Sequence, residues 1–289
     1  MANLPEPGIY PSVPFAEYAK WPAVSNSGLK YILRSPAHYK AAMAETWKDT
    51  PAQILGRAFH MAILEPDIFW KHFAKEPELD TENYAKPRSS KAYKEEIAFI
   101  EEKGLTVLKA DDVENLNGMK AAVMGHQKLN KVITSTGQAE LSILWKDPDT
   151  GVMCKGRLDW ATDTRAGGAI LDLKSTDDAS PGSFERAVYR WGYHRQGEFY
   201  LRGARILGLP SKHFVIGAVE KSPPFGVVLY RLDDDAIRLG ARQIDFALAR
   251  YAECRRTKSW PCYTDDVVDI GVPKWADAAV ERDLEEQTI

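Results

Sequence analysis

The sequence is short of cysteine: Cys154, Cys254 and Cys262 are the only three in 289 residues. So odd and sparse a set excludes a disulfide framework and a four-cysteine zinc or iron–sulfur site supplied by one chain, and the thiols are expected to be reduced. Long apolar runs are missing too. None approaches the ~18 residues a membrane helix needs, and the opening MANLPEPGIYPSVPF has neither a basic n-region nor an apolar h-region. The expected setting is cytoplasmic, with no membrane partner. Positive charge is not in excess, since 38 Lys and Arg meet 41 Asp and Glu for a net −3, so the easy signal for nucleic acid is missing. No G-x-S-x-G elbow or Walker-type glycine loop occurs, His194 and His213 lack metal-ligand spacing, and no internal repeat is found. At 44% hydrophobic and 27% charged, the composition excludes a collagen-like, low-complexity or wholly disordered chain.

What is present is unevenly placed. Residues 276–289 hold five acids and one arginine, whereas residues 185–212 carry six basic and two acidic side chains, a local positive stripe. The first 24 residues contain five prolines and read as an extended arm. Ser25 or Ser27 can cap a helix starting near Gly28, which Pro36 ends or kinks at Ser35. Another helix starts at Pro51, with Ile54, Ala58, Met61 and Leu64 as its apolar face. Residues 75–95 are polar and read as a surface insertion or mobile flap. Helices follow near 91–103 and 110–130, the second amphipathic through Val113, Leu116, Met119, Ala122 and Val123. From residue 138 the period becomes two: QAELSILW and VMCKGRLDWATD flank the turn KDPDTG, and AILDLKST follows after RAGG. A long helix over 182–207, a strand pair in FVIGAVEK and FGVVLYRL, and a helix over 233–256 complete the order. This order predicts an α/β protein of the α+β type, a mixed sheet with flanking helices.

The chemistry concentrates in two strands. Burying Asp172 and Lys174 among Ile170, Leu171 and Leu173 would cost several kcal/mol per unpaired charge, so they must be paired, metal-bound or at a strand end. Two positions apart, they share a face, either as a structural ion pair or as part of a site. Asp159 in GRLDW is again an acid inside an apolar alternation, and a neighbouring strand can set it beside Asp172. Two such carboxylates repel and raise one pKa unless a cation neutralises them. With water and a phosphate oxygen they suit Mg²⁺. The ion would make hydroxide available, and Lys174 could orient the nucleophile or hold the developing anion.

Asp159 followed thirteen residues later by Asp172-Leu173-Lys174 resembles the split active site of the PD-(D/E)xK nuclease superfamily. His60 in GRAFH upstream and Gln196 with Tyr200 as Q-x-x-x-Y downstream are similar to the RecB-like branch. The stretch VSNSGLKYILRSPAHYKAA also resembles the start of the RecE-type exonuclease domain (exodeoxyribonuclease VIII), so the likeness covers most of residues 8–232. It implies a restriction-endonuclease-like core and one nuclease domain over 1–289. That domain would comprise an arm and helices at 1–50, the core with its 75–95 insertion at 51–232, and a helix with an acidic tail at 233–289. It further implies catalytic Lys174, metal carboxylates Asp159 and Asp172, the Leu173 backbone carbonyl and His60 as further ligands, and Mg²⁺ with Mn²⁺ as a substitute. Glu140 matches an acidic position that binds metal or orients Lys174, or is a solvated strand residue. Gln196 and Tyr200 share a helix face and touch the DNA backbone in the family, core packing being the ordinary alternative. Arg186 and Arg190 fit phosphate contact or a solvated face; Arg157 is a phosphate clamp or a charge partner for the acids. Trp191 could stack on a base or pack. The implied activity is 5′ to 3′ exonuclease action on ends of linear double-stranded DNA, in recombination. A homo-oligomeric ring and a RecT-like single-strand annealing partner are expected with it. A non-catalytic DNA-end-binding scaffold and an endonuclease of the same superfamily are the alternatives.

Overall fold

The computed structural model describes residues 4–45, 49–162, 168–273 and 275–286. The proline-rich start is extended only in part. A short strand, β1 (Gly8–Tyr10), precedes a helix of six residues, α1 (Phe15–Lys20). Next come α2 (Asn26–Arg34), α3 (Pro36–Ala44) and α4 (Pro51–Leu64). Their starts follow the sequence. Ser25 accepts from Gly28 N at 3.2 Å, Ser35 ends α2 and caps α3 ahead of Pro36, and Thr50 with Gln53 forms a capping box. The buried side of α4 is wider than expected and includes Phe59, Ala62 and Ile63.

Strand β2 (Phe73–Lys75) pairs in parallel with β3 (Thr106–Leu108), and α5 (Lys91–Glu102) lies between them in sequence. The polar 75–95 stretch is tied down here. The buried Glu76 carboxylate accepts from Arg88 Nε and Nη2 at 2.9 and 2.7 Å, Tyr93 OH at 2.7 Å and Ala110 N at 2.8 Å. The helix expected over 110–130 is two, α6 (Ala110–Gly125) and α7 (Gln127–Ile133), because His126 ends the first and caps the second.

Then come β4 (Gly137–Lys146), β5 (Met153–Thr162), β6 (Gly168–Thr176), α8 (Pro181–Trp191), α9 (Tyr193–Ile206), β7 (Ser211–Glu220), β8 (Val227–Arg231), α10 (Asp234–Thr257) and α11 (Trp275–Glu286). The single helix expected at 182–207 is broken at Gly192, whose φ of +73° is the left-handed turn glycine takes without a Cβ penalty. Part of the RAGG connection and residues 287–289 of the acidic tail lie outside the described residues.

Six strands make one mixed sheet in the order β1-β4-β5-β6-β7-β8, with β6 and β7 parallel and the other pairs antiparallel. One face packs on α2, α9 and α10 through Ile32, Trp145, Phe199, Phe214 and Leu248; the other packs on α4, α6 and α7 through Phe59, Met119, Leu129, Leu171 and Leu173. Leu171 and Leu173 therefore alternate with Asp172 and Lys174, as a strand period of two requires. Lys155 fastens the arm to the sheet, its ammonium donating to the Tyr18, Ala19 and Trp21 carbonyls at 3.0, 2.9 and 2.9 Å.

Candidate active site

The antiparallel register of β5 and β6 pairs Trp160 with Leu171 and Ala161 with Ile170, and then the strands part. Side chains fill the opening. Asp159 Oδ2 accepts from the Leu173 backbone N at 2.7 Å, and the Leu173 carbonyl lies 2.8 Å from His60 Nε2. The other His60 ring nitrogen, Nδ1, is 3.4 Å from Asp159 Oδ2. From β4 comes Glu140, opposite Asp159 in a register that sets Ala139 against Trp160 and Leu141 against Leu158. Its backbone is turned left-handed, with φ +49°, a conformation that costs a side-chain-bearing residue of order 1 kcal/mol and that the surrounding sheet sustains. His60, Glu140 and Asp159 each offer a ligand atom, all within 4.8 Å of one another.

Crowding acids in a buried pocket has electrostatic consequences. Burial first, and the Asp172 charge second, raise Asp159 to about 8, and burial followed by Asp159 raises Glu140. Burial and then the Lys174 charge lower His60, favouring neutral imidazole. A neutral ring has one bare nitrogen, facing Asp159 Oδ2 from Nδ1 or the Leu173 carbonyl from Nε2. Either way two acceptors confront each other, and a cation or an additional proton must relieve them. Two carboxylates, a carbonyl and an imidazole form a donor set that fits Mg²⁺ or Mn²⁺. The 2.8 Å between His60 Nε2 and the Leu173 oxygen is also close to the ~3 Å separating adjacent ligands of an octahedral ion with ~2.1 Å bonds.

Asp172 stands beside this group. Only 1% exposed, it meets the Lys174 ammonium with Oδ2 and accepts from Gln196 Nε2 through Oδ1 at 2.8 Å. Of the two carboxylates expected as ligands, Asp159 lies with His60 and Glu140, and Asp172 meets Lys174 and Gln196. Burial opposes the charge on Lys174, but Asp172 and Asp159 outweigh it and raise its pKa, so it remains an ammonium. Its nitrogen lies 5.2 Å from the Tyr193 ring centroid.

The residues expected on DNA are placed differently from one another. Gln196 turns inward to Asp172. Tyr200 packs its ring over Gly156, where an added Cβ would lie 3.1 Å away, and near Phe214, and burial drives its phenol pKa well up. Arg157 donates to Glu140 Oε2 at 2.5 Å, Val13 O at 2.7 Å and Ser142 Oγ at 3.1 Å, and so lies against one of the acids. Arg186 and Arg190 are exposed on α8. The positive stripe is not one surface, because Arg195 is buried, Arg202 meets Asp147, Glu198 and Asp245, and Arg205 meets Glu198.

Two adjoining cavities of about 380 and 800 Å³ open from the acidic group and share Phe15, Arg57, Met61, Glu65, Glu140 and Arg157. Three of their features escape a sequence reading: Phe15, Gly56 and Arg57. Arg57 precedes His60 by three and so lies on the same helix face, the only signal available. Its guanidinium donates to Asp49 Oδ2 at 2.5 Å and Thr106 Oγ1 at 3.3 Å. Gly56 lines the smaller cavity, and a Cβ there would meet nothing within 4 Å. A glycine inside a helix costs ~1 kcal/mol relative to alanine. Packing does not require it here, and its effect is an open floor one turn before His60.

Residues 25–268 match a family described as a PDDEXK-like domain of unknown function (DUF3799). The chain belongs to that family. No curated protein sequence matches it. Among solved structures, the PDDEXK-like chain is similar to a protein from Eubacterium rectale, provisionally assigned as an exonuclease, with a TM-score of 0.57, 14% identity and coverage of 89% of this chain and 93% of that one. That likeness shows a shared fold, and the family match supports its being restriction-endonuclease-like. Weaker similarities are to SSO0001 (TM-score 0.27, 12% identity, 76% of this chain and 85% of that one) and VC1899 from Vibrio cholerae (0.23, 13%, 81% and 55%). Among the described residues no helix is long and apolar enough to cross a membrane.

Proposed function

We propose that this PDDEXK-like protein is a divalent-metal-dependent exonuclease that hydrolyses phosphodiester bonds from the ends of linear double-stranded DNA. The carrying observation is the convergence of His60, Glu140 and Asp159 beside the Asp172–Lys174 pair at one parting of two strands. His60, Glu140, Asp159 and the Leu173 carbonyl would hold Mg²⁺ or Mn²⁺. Bound there, the ion supplies Lewis-acid activation of the phosphate and a source of hydroxide.

The protein's own groups do the rest. Lys174 stays charged and is positioned to stabilise negative charge building on a non-bridging phosphate oxygen. Asp172 and Gln196 fix its ammonium, so little reorganisation is needed at the moment of reaction. Arg157 holds Glu140 in its strained conformation and neutralises part of the acidic charge. The cleft floor at Gly56 leaves room for a strand to approach α4 closely.

The 5′ to 3′ polarity, end resection in recombination, a ring of subunits around duplex and a RecT-like partner rest on the resemblance to RecE-type exonucleases and, with a cytoplasmic setting, form part of this reading. Digestion of end-labelled linear duplex with Mg²⁺, with Mn²⁺ and with chelator tests it, alongside Asp172→Ala and Lys174→Ala. Loss of metal-dependent digestion in both variants is expected. Equal digestion by variant and parent overturns the mechanism. Cutting of a covalently closed circle assigns an endonuclease instead, and binding of ends with no product under any divalent ion assigns a scaffold. Label position reports polarity, and sedimentation reports the subunit number.

A further inference from the structure

On the corner between α8 and α9, a separate cavity of about 210 Å³ is lined by Lys30, Tyr189, Arg190, Trp191, Gly192, His194, Arg195 and Gln243. Its lining has three cations and no carboxylate. Arg195 is the informative one. It is 7% exposed, its side chain donates from Nε to Asn26 Oδ1 at 3.1 Å, and among the described residues no acid pairs with its guanidinium. An arginine that lines a cavity with no carboxylate beside it leaves its guanidinium open to an anion, whose oxygens its planar fork can meet. Burial pushes its pKa below the ordinary arginine value, with no carboxylate to offset the effect.

The rim adds a different chemistry. Tyr189 is 69% and Trp191 53% exposed, large aromatics left in water beside the cations. The Arg190 guanidinium lies 5.1 Å from the Trp191 ring, and Tyr189 stacks on the buried His194 at 5.8 Å with 10° between planes. His194 is itself fixed between the Val188 carbonyl and Gln243, at 3.1 and 3.0 Å. Gly192, which lines the cavity, offers the start of α9 no side-chain cap. An anion-seeking pocket bordered by free aromatic faces matches a nucleotide whose base is unpaired.

We infer that the α8–α9 corner is a subsite for single-stranded DNA, with one phosphate held by Arg195, Arg190 and Lys30 and an adjacent base stacked on Trp191. A cavity this small admits a phosphate and not a duplex, and Trp191 and Tyr189 would find no free base face on paired DNA. The subsite deepens the nuclease reading by naming the form of substrate or product handled beside the active site. Tyr193, the first residue of α9 and the chain neighbour of the lining residue Gly192, has its ring 5.2 Å from the Lys174 ammonium.

The test measures binding of a fluorescein-labelled oligothymidylate in chelator, on the full chain carrying Lys174→Ala so that no cleavage intervenes. Adding Trp191→Ala should weaken binding about tenfold or more with an unchanged salt slope, as loss of one stacked base implies. Adding Arg195→Met should weaken it with a salt slope smaller by about one, while a melting temperature close to the parent's shows that the fold is kept. Unchanged affinity in both variants overturns the subsite, as does equal weakening toward blunt duplex. Competition by millimolar inorganic phosphate that matches the full oligonucleotide affinity reduces the subsite to a simple anion pocket and refutes the stacked base. The outcome is separate from the nuclease reading, since parent protein that binds the oligonucleotide but never digests duplex would retain the subsite and lose the hydrolase.

Discussion

Gln196 donates its side-chain amide to Asp172 Oδ1 at 2.8 Å, across 24 residues of sequence, and thereby fixes the carboxylate that fixes Lys174. On the proposed function, this makes Gln196 a positioning residue. Gln196→Leu should lower kcat ten- to a hundredfold with little change in KM for DNA, because the transition-state contact of Lys174 is loosened and strand binding is not. A DNA-backbone contact would instead raise KM. Gln196→Glu, which sets a second acid against Asp172, should be worse than Gln196→Leu in both activity and melting temperature.

The buried acids make apo stability fall with rising pH. Asp159 is raised to about 8 when folded against 3.8 unfolded, so between about pH 4 and 8 the folded chain retains a proton that the unfolded chain releases. Denaturant unfolding in chelator should therefore yield a midpoint that declines across that window. Saturating Mn²⁺ or Mg²⁺ should flatten the decline and raise the midpoint, and the ion should bind more tightly as pH increases. Mn²⁺, more accepting of an imidazole ligand, should give the larger shift. No divalent-ion effect in the parent would remove the cluster from the mechanism.

Glu76 acts in the opposite sense. Its hydrogen bonds to Arg88, followed by the backbone and Tyr93 contacts, outweigh burial and hold its pKa down at about 2 instead of 4.5. The stabilisation is present above about pH 4.5 and is lost as pH falls toward 2. Glu76→Gln should cost on the order of 2 kcal/mol and abolish most of that acid limb. Limited proteolysis between residues 77 and 90 should speed up in the variant at neutral pH, a direct reading of the insertion coming loose.

Gly56 separates stability from function. Gly56→Ala should raise the melting temperature through the ~1 kcal/mol helix preference of alanine, there being nothing for the methyl to strike. Gly56→Trp should fill the cleft floor and reduce digestion of duplex more than tenfold, with a smaller loss on a nitrophenyl ester of thymidine monophosphate. Parent-like digestion by the tryptophan variant would show that DNA does not pass over α4.

Much of this site was legible because strands are local. Asp159, Asp172 and Lys174 declare themselves as charges inside apolar alternation, and the hairpin that carries Glu140 follows from KDPDTG. Two matters were not legible. Which carboxylate joins His60 depends on the parting of β5 and β6 and on the left-handed Glu140 backbone, neither of which a spacing encodes. The tethering of residues 75–95 depends on one glutamate finding three partners up to 34 residues away, which polarity alone disguises as a loose loop. Gly192 illustrates a third kind of failure: a single left-handed residue divided what periodicity reads as one helix, and so created the α8–α9 corner.

The contact between His60 and Leu173 spans 113 residues. An unfinished polypeptide on the ribosome that has not reached the third active-site strand lacks both the carbonyl and the lysine, whatever else it has folded. On the proposed function, a chain cut between α4 and β6 would keep neither half of the site intact.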